Sequence, residues 1–581
     1  MIICSSELDW DLLGNATHSL SIYFFPPGLR IMNRDHPKWG PDIDRYTEIF
    51  EDRIEKAFDN YMTAQETTSV AHDGLLPLSV LETMLTVGEN MHKIEYQHGD
   101  QSLSVLMDTV RRYTELNETG IFNYYYGYLC MRHIMCTICL GTLIESETLD
   151  DFLDNLDPAL EPYEATEMLA EEAFAQMTET LFKNDLSQVS ICLGCMPPKG
   201  DAFTHVGGLS YEDVEFLVLT LWKDRRSIIG LTDHGMLPGF PALLFTLSYM
   251  TIFSRTSPHP TKKWTELKDI ILRFYIVATE EERKTMRQII LSIHHNAISK
   301  YKLVGDYTTD EEDAREVVQA YTDIFRPLFS EGLAPMMRLD ISNMLFQFVD
   351  SMLTPNLADC IPEVAWGGLE RLWLEFDREK DGFMAAPQRG FTRRYASDIF
   401  CMVSEMRPRL KTRENEKAFD VMFLESNTLG LIGRVILLLS REGRNPDDWE
   451  YLHAGFEGIC EAMSGLKDRA LEQLAQSSAT DWIKVQDQLD MLSMGVAPSK
   501  VPRKYLLDAI KVWRGFGPAP DQEIPFQMCS NPRCHMVKVY IRPPSTNNVC
   551  GRCFKATYCS KRCQRVHWYL RGVDSHMMSC N

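Results

Sequence analysis

The sequence predicts a mostly α-helical protein, a large multi-helix body followed by a small C-terminal module built on metal-ligand pairs. Two observations carry that prediction. Apolar residues recur with a helical period through most of the first 514 residues, and no alternating strand pattern of similar length competes with them. Seven of the sixteen cysteines then crowd into the last 53 residues, in pairs.

The helical signal begins with Ile49, Phe50, Ile54, Ala57, Phe58 and Tyr61, which share one face of a helix. Further helices are expected near 77–95, 101–116, 122–146, 211–227, 336–353, 389–405, 413–440 and 480–494. Two capping boxes mark helix starts. Thr279-x-x-Glu282 leads into Met286, Ile289, Ile290, Ile293 and Ala297. Thr309-x-x-Glu312 leads into a stripe from Ala314 through Val317, Val318, Tyr321, Ile324 and Phe325 to Leu328. The acidic run Asp310–Asp313 suits such a start, because the helix dipole favours carboxylates there.

The longest uncharged run, Gly235 to Ser254, is broken by Pro238, Gly239 and Pro241. About thirteen helical residues remain, roughly 20 Å, which is short of a bilayer core of about 30 Å. A buried helix is expected, and no membrane span. No repeat emerges at periods of 34 to 47 residues, so an irregular α-solenoid and an irregular globule both remain open. The clear linker follows the body: Gly515-Phe-Gly-Pro-Ala-Pro, running on to Pro525. The expected organisation is a helical body over 1–514, a Pro/Gly linker over 515–528 and a module over 529–580.

Chemistry within the body is sparse. Cys130, His133, Cys136 and Cys139 recur every three residues, but that step sweeps half the circumference of a helix and cannot converge on one ion. They read as core side chains. Cys192-Leu-Gly-Cys195 is a knuckle without a second pair, and Asp233-His234-Gly235 lacks a nucleophile at defined spacing and reads as a surface loop. No nucleophile elbow, phosphate-cradling loop or dinucleotide fingerprint is present.

The module is different. Cys550-Gly-Arg-Cys553 is a two-residue knuckle, Cys559 and Cys563 are an i, i+4 pair, and His576 and Cys580 are another. Cys529 and Cys534 form a looser pair, with Asn-Pro supplying the bend. Seven sulfurs and one imidazole match the needs of two tetrahedral zinc sites. Ser560 can cap a helix from about Lys561 to Arg571, with Gly572 at its exit. A segment this small cannot bury enough apolar surface to fold alone, and structural zinc supplies about 10–16 kcal/mol in comparable peptides.

Charge separates the two regions. The chain carries a formal net charge of −23, while the residues from Phe526 onward carry nine Lys/Arg against one Asp. Two zinc ions and seven thiolates lower that local +8 to about +5. The body repels nucleic acid, and the modestly basic tail suits acidic or neutral partners or docking on the body itself. The N-terminus lacks the basic region and apolar core of a signal peptide, so an intracellular, soluble protein is expected.

The run Tyr558-Cys-Ser-Lys-Arg-Cys-Gln564, with Trp568 and the terminal His576-x3-Cys580, resembles a MYND-type zinc finger. The resemblance covers less than a tenth of the chain. In that family the ligand pairs interleave, which implies one zinc held by Cys529, Cys534, Cys559 and Cys563. The other would be held by Cys550, Cys553, His576 and Cys580. Spacing alone leaves a sequential pairing open. This chain departs from the family in a longer stretch before His576, which leaves His567, four residues after Cys563, as a rival ligand.

The resemblance further implies a non-enzymatic interaction protein whose finger binds short proline-containing peptides of protein partners. Tyr558, Trp568 and Tyr569 are candidates to line the peptide groove, Trp568 equally to form the module's core. Pro158-Ala-Leu-Glu-Pro162 resembles such a peptide within the chain and suggests self-contact. Some lysine methyltransferases carry this finger within a SET domain. Their Asn-His-Ser-Cys-type run and downstream tyrosine motif are not found here, and a SET domain is largely β. Lys561, Arg562 and Arg565 on one short helix offer a third reading, weak nucleic-acid binding.

Overall fold

The computed structural model describes residues 39–43, 45–46, 75–89, 100–117, 119–157, 160, 162–182, 209–253, 263–279, 282–283, 286–287, 289–290, 310–324, 338–378, 386–442, 446–464, 466, 482–483, 485–495, 502–515, 529–531, 549–553, 555–558, 561–569 and 576–580. Among them the chain is mostly α, and its β pairing is limited to the isolated bridges Asp42–Tyr124 and Val549–Thr557. Two compact units are present, Met1–Lys300 and Tyr301–Asn581.

The helices of the first unit are α1 (Leu78–Glu89), α2 (Asp100–Leu116), α3 (Tyr125–Glu145), α4 (Leu149–Asn155), α5 (Pro162–Phe182), α6 (Tyr211–Lys223), α7 (Arg225–Asp233), α8 (Phe240–Phe253) and α9 (Lys263–Val277). Helix α3 is apolar on nearly all sides, so it is the element the others cover, packing against α1, α2, α5 and α8. It is long and apolar enough to cross a bilayer, yet 83% of its apolar window is buried within the protein. Cys130 and Cys139 are buried in this core and Cys136 is half-buried. His133 is buried with them, its Nε2 2.8 Å from the Leu81 carbonyl, and burial holds its imidazole down at about 4.

The stretch expected as one helix over 211–227 breaks at Asp224, between α6 and α7. There the buried Asp224 carboxylate accepts the Phe122 N–H at 2.5 Å and the Ser227 hydroxyl at 3.0 Å. Asp233-His234-Gly235 forms the exit of α7. Gly235 adopts φ +68, and bonds from Gly235 N–H to Thr232 and from Met236 N–H to Leu231 close the turn. Thr279 and Glu282 make the reciprocal bonds of the expected capping box. Residues 47–74, Cys192, Cys195 and, within the Pro158–Pro162 segment, Pro158, Ala159 and Glu161 lie outside the described residues.

The second unit contains α10 (Glu311–Asp323), α11 (Leu339–Met352), α12 (Ile361–Arg378), α13 (Ala386–Met406), α14 (Arg413–Glu425), α15 (Thr428–Glu442), α16 (Pro446–Ser464) and α17 (Arg503–Gly515). Helix α12 is central, meeting α10, α11, α13, α14 and α15. The cap of α10 is Asp310, whose carboxylate accepts the Glu312 N–H at 3.1 Å. The cap is thus one residue later than the expected Thr309, which lies outside the described residues. The predicted helix over 413–440 is two helices, broken at Asn427, which adopts φ +49. The Ser426 carbonyl released at that break accepts the Trp373 indole N–H at 2.6 Å. Helices α13 and α16 approach closely because Gly455 and Gly458 present no side chain. A Cβ on Gly458 would fall 2.5 Å from Ser404 Oγ.

Candidate metal centre

Four side chains from two short segments converge near the C-terminus. The Sγ atoms of Cys550, Cys553 and Cys580 and a ring nitrogen of His576 all lie within 4.8 Å of one another. Cys550 Sγ and Cys580 Sγ are 3.6 Å apart, and Cys553 Sγ is 3.3 Å from His576 Nε2. A tetrahedral zinc with Zn–S of about 2.3 Å and Zn–N of about 2.0 Å sets edges of roughly 3.8 Å between sulfurs and roughly 3.5 Å from sulfur to nitrogen. The donor set therefore fits such an ion, and the sulfurs are free thiols rather than a disulfide.

Backbone pairing builds the first half of the cluster. The Val549–Thr557 bridge and the bond from Cys550 N–H to the Ala556 carbonyl, 2.9 Å, close a knuckle around residues 550–556. Within it, the N–H groups of Lys555 and Ala556 point at Cys553 and pull its thiol down to about 6. Donors aimed at sulfur favour the thiolate, the form that binds metal. The second half is the single helical turn His576–Ser579 with Cys580 directly after it, and His576 and Cys580, four residues apart, share a face.

Helix α18 (Lys561–Tyr569) carries Cys563, which is buried, and Leu570 and the expected last residue Arg571 lie outside the described residues. His567 lies on this helix and is not among the four clustered donors. Its Nδ1 is 3.2 Å from the Tyr558 hydroxyl, and its ring packs 5.2 Å from that of His576. Tyr558 is 1% exposed, so it forms the interior of the module and is not free to line a peptide groove. Burial and the neighbouring thiols of Cys550, Cys553, Cys529 and Cys580 push its phenol upward. Trp568 packs edge-on against His576 at 5.8 Å.

The segment bearing Cys529 is tied to the same knuckle. Ser530 N–H donates to the Thr557 carbonyl at 2.7 Å, and Thr557 N–H returns a bond to Ser530 Oγ at 3.0 Å. Of the other expected ligand set, Cys529 and Cys563 are described, while Cys534 and Cys559 lie outside the described residues.

Sequence reasoning missed how the module meets the body. Arg562 Nη1 donates to both carboxylate oxygens of Glu370 on α12, at 3.0 and 2.8 Å. The two side chains are only 12% and 2% exposed. The same guanidinium lies 4.5 Å from the ring centre of the fully buried Trp373, and Arg434 lies 4.3 Å from it. Arg562 is therefore committed to the body and is withdrawn from any phosphate backbone. The only sequence signal was the charge difference between tail and body, which names no residue.

No protein-family model, curated protein or solved structure matches this chain.

Proposed function

We propose that this chain is a non-enzymatic, intracellular interaction protein whose C-terminal module is a MYND-type finger holding two structural zinc ions. The observation that carries this reading is the convergence of Cys550, Cys553, His576 and Cys580 with edge lengths suited to a tetrahedral ion. Three thiolates and an imidazole are a donor set that selects zinc over hard cations. In this reading Cys529, Cys534, Cys559 and Cys563 hold the second ion. Both ions are structural: they tie short segments together where no apolar core is large enough to do so.

The partners in this proposal are proline-containing peptides of other proteins, met by the part of the finger that faces away from α12. An extended proline segment loses little conformational entropy on binding, which suits a small preformed surface. The Pro158–Pro162 segment is the candidate for self-contact. A methyltransferase and a nucleic-acid binder are the competing classes, and committed Arg562 weakens the second.

Elemental analysis of the full-length protein tests the reading. Two zinc ions per chain, falling to one in His576→Ala and remaining two in His567→Ala, are expected. One zinc or none in the wild-type protein, or loss of zinc in His567→Ala instead, contradicts it. Calorimetry with proline-containing peptides then tests the partner class, and S-adenosylmethionine in a thermal-shift assay tests the methyltransferase alternative.

A further inference from the structure

The second unit carries an open groove of about 620 Å³ between α12 and α14, lined also by Thr322 of α10. Part of its lining is apolar: Trp366 is half-buried, Met422 is buried, and Val421 stands 40% exposed. The α14 wall uses Glu414, Lys417, Val421 and Glu425, positions spaced as one helical face. From Glu414 to Glu425 that face runs roughly 16 Å, three helical turns.

The rim is acidic. Glu414 and Glu425 stand at its two ends on α14 and the exposed Glu363 lies across on α12, against the single base Lys417. Glu414 and Glu425 have no ion-pair partner among the described residues. Glu425 is also badly placed for the helix that bears it. It lies in the last turn of α14, which has no basic residue, where the dipole disfavours a carboxylate. A cation supplied from outside would relieve that conflict.

We infer that this groove docks an amphipathic helix of a partner protein, about three turns long, with apolar anchors toward Trp366 and Val421 and Lys or Arg at both ends. Apolar anchors in a groove between two helices supply affinity, and the flanking charges supply orientation and partner choice. The site is independent of the zinc reading but adjacent to the finger. Trp366 and Glu370 lie on one face of α12, one turn or roughly 6 Å apart, so a docked helix would sit beside the point where Arg562 is held.

The test uses full-length protein and two fluorescein-labelled synthetic probes of about fourteen residues, each with three leucines at helical spacing. One has lysines at both ends, the other glutamates. In anisotropy titrations the lysine probe should bind at least about tenfold more tightly than the glutamate probe. Val421→Arg, and separately the pair Glu414→Lys/Glu425→Lys, should each weaken it by about tenfold or more. These side chains are exposed, so the fold tolerates the changes. The pair Asp108→Lys/Glu115→Lys, exposed acids on α2 outside the groove, should leave binding unchanged. Absence of binding, equal binding of the two probes, unchanged affinity in the groove variants, or an equal loss in the α2 variant overturns the inference.

Discussion

Helix α3 and the C-terminal module contain the same ingredients, three cysteines and a histidine within a short reach, and put them to opposite uses. In α3 the residues recur every three positions, so their side chains fan around the helix: Cys130, His133 and Cys139 are buried and Cys136 is half-buried. Burial there pushes the thiols of Cys130 and Cys139 up, keeping them protonated and inert. In the module, Cys550, Cys553, His576 and Cys580 come from two segments and face one point. There, backbone N–H groups draw Cys553 toward the thiolate, while desolvation and the neighbouring Cys550 and Cys553 push Cys580 up. Residue type is the same in both regions; the direction of the side chains differs, and only in the module do four donors face a common point.

The largest effect that would break this contrast is metal removal. A strong chelator should unfold the module and leave α3 intact, since structural zinc supplies about 10–16 kcal/mol to such segments and α3 needs none. Hydrogen exchange would read it as lost protection over 549–558 and 561–569 with α3 amides unchanged. Equal loss in both regions would place a metal dependence in the body.

The next effect concerns the attachment of the module. Arg562→Ala leaves the Glu370 carboxylate buried without its partner, a loss of about 3–5 kcal/mol for a buried pair. Denaturant unfolding of the second unit should shift accordingly, while zinc content stays constant. Arg562→Lys keeps the charge but cannot match the planar contact with Trp373, so an intermediate loss is expected.

Histidine protonation separates the two regions by pH. His133 has an ordinary value of 6.5 that burial lowers to about 4 in the folded protein. Its contribution is therefore full above 6.5 and is lost as pH falls through 4, because the unfolded chain takes the proton first. The loss amounts to about 3 kcal/mol. His133→Gln, neutral and still able to donate to the Leu81 carbonyl, should flatten this part of the pH–stability curve relative to wild type. An unchanged slope would show that His133 is not the group responsible.

The smallest effect is a packing one. Cys139→Ala should cost about 1 kcal/mol through the small cavity it leaves, with no change in zinc content. A zinc loss in that variant would erase the distinction between the two regions.

Much of this protein was legible from its residues alone because the relevant forces are local. The helix start at Thr279 follows from a capping box that spans a few positions, whereas the helix exit at Gly235 reads from sequence as a surface loop. The pairs Cys550/Cys553 and His576/Cys580 were visible because their spacing is local too, since i, i+4 spacing puts His576 and Cys580 on one face without reference to the rest of the chain. The breaks at Asp224 and Asn427 were not visible. Both positions lie in apolar helical patterns, and what interrupts them is a distant demand: the Phe122 amide in one case and the Trp373 indole in the other.

By itself, then, the sequence determined a helical body and the pairing of Cys550 with Cys553 and of His576 with Cys580, all of them properties of neighbours along the chain. Only the tertiary structure decided which pairs meet, why Tyr558 is interior, and that Arg562 crosses to Glu370, 192 residues away. It alone revealed the acidic groove between α12 and α14. Such contacts depend on how helices stack and on which charges are taken out of water together, and no periodicity in the chain records that choice.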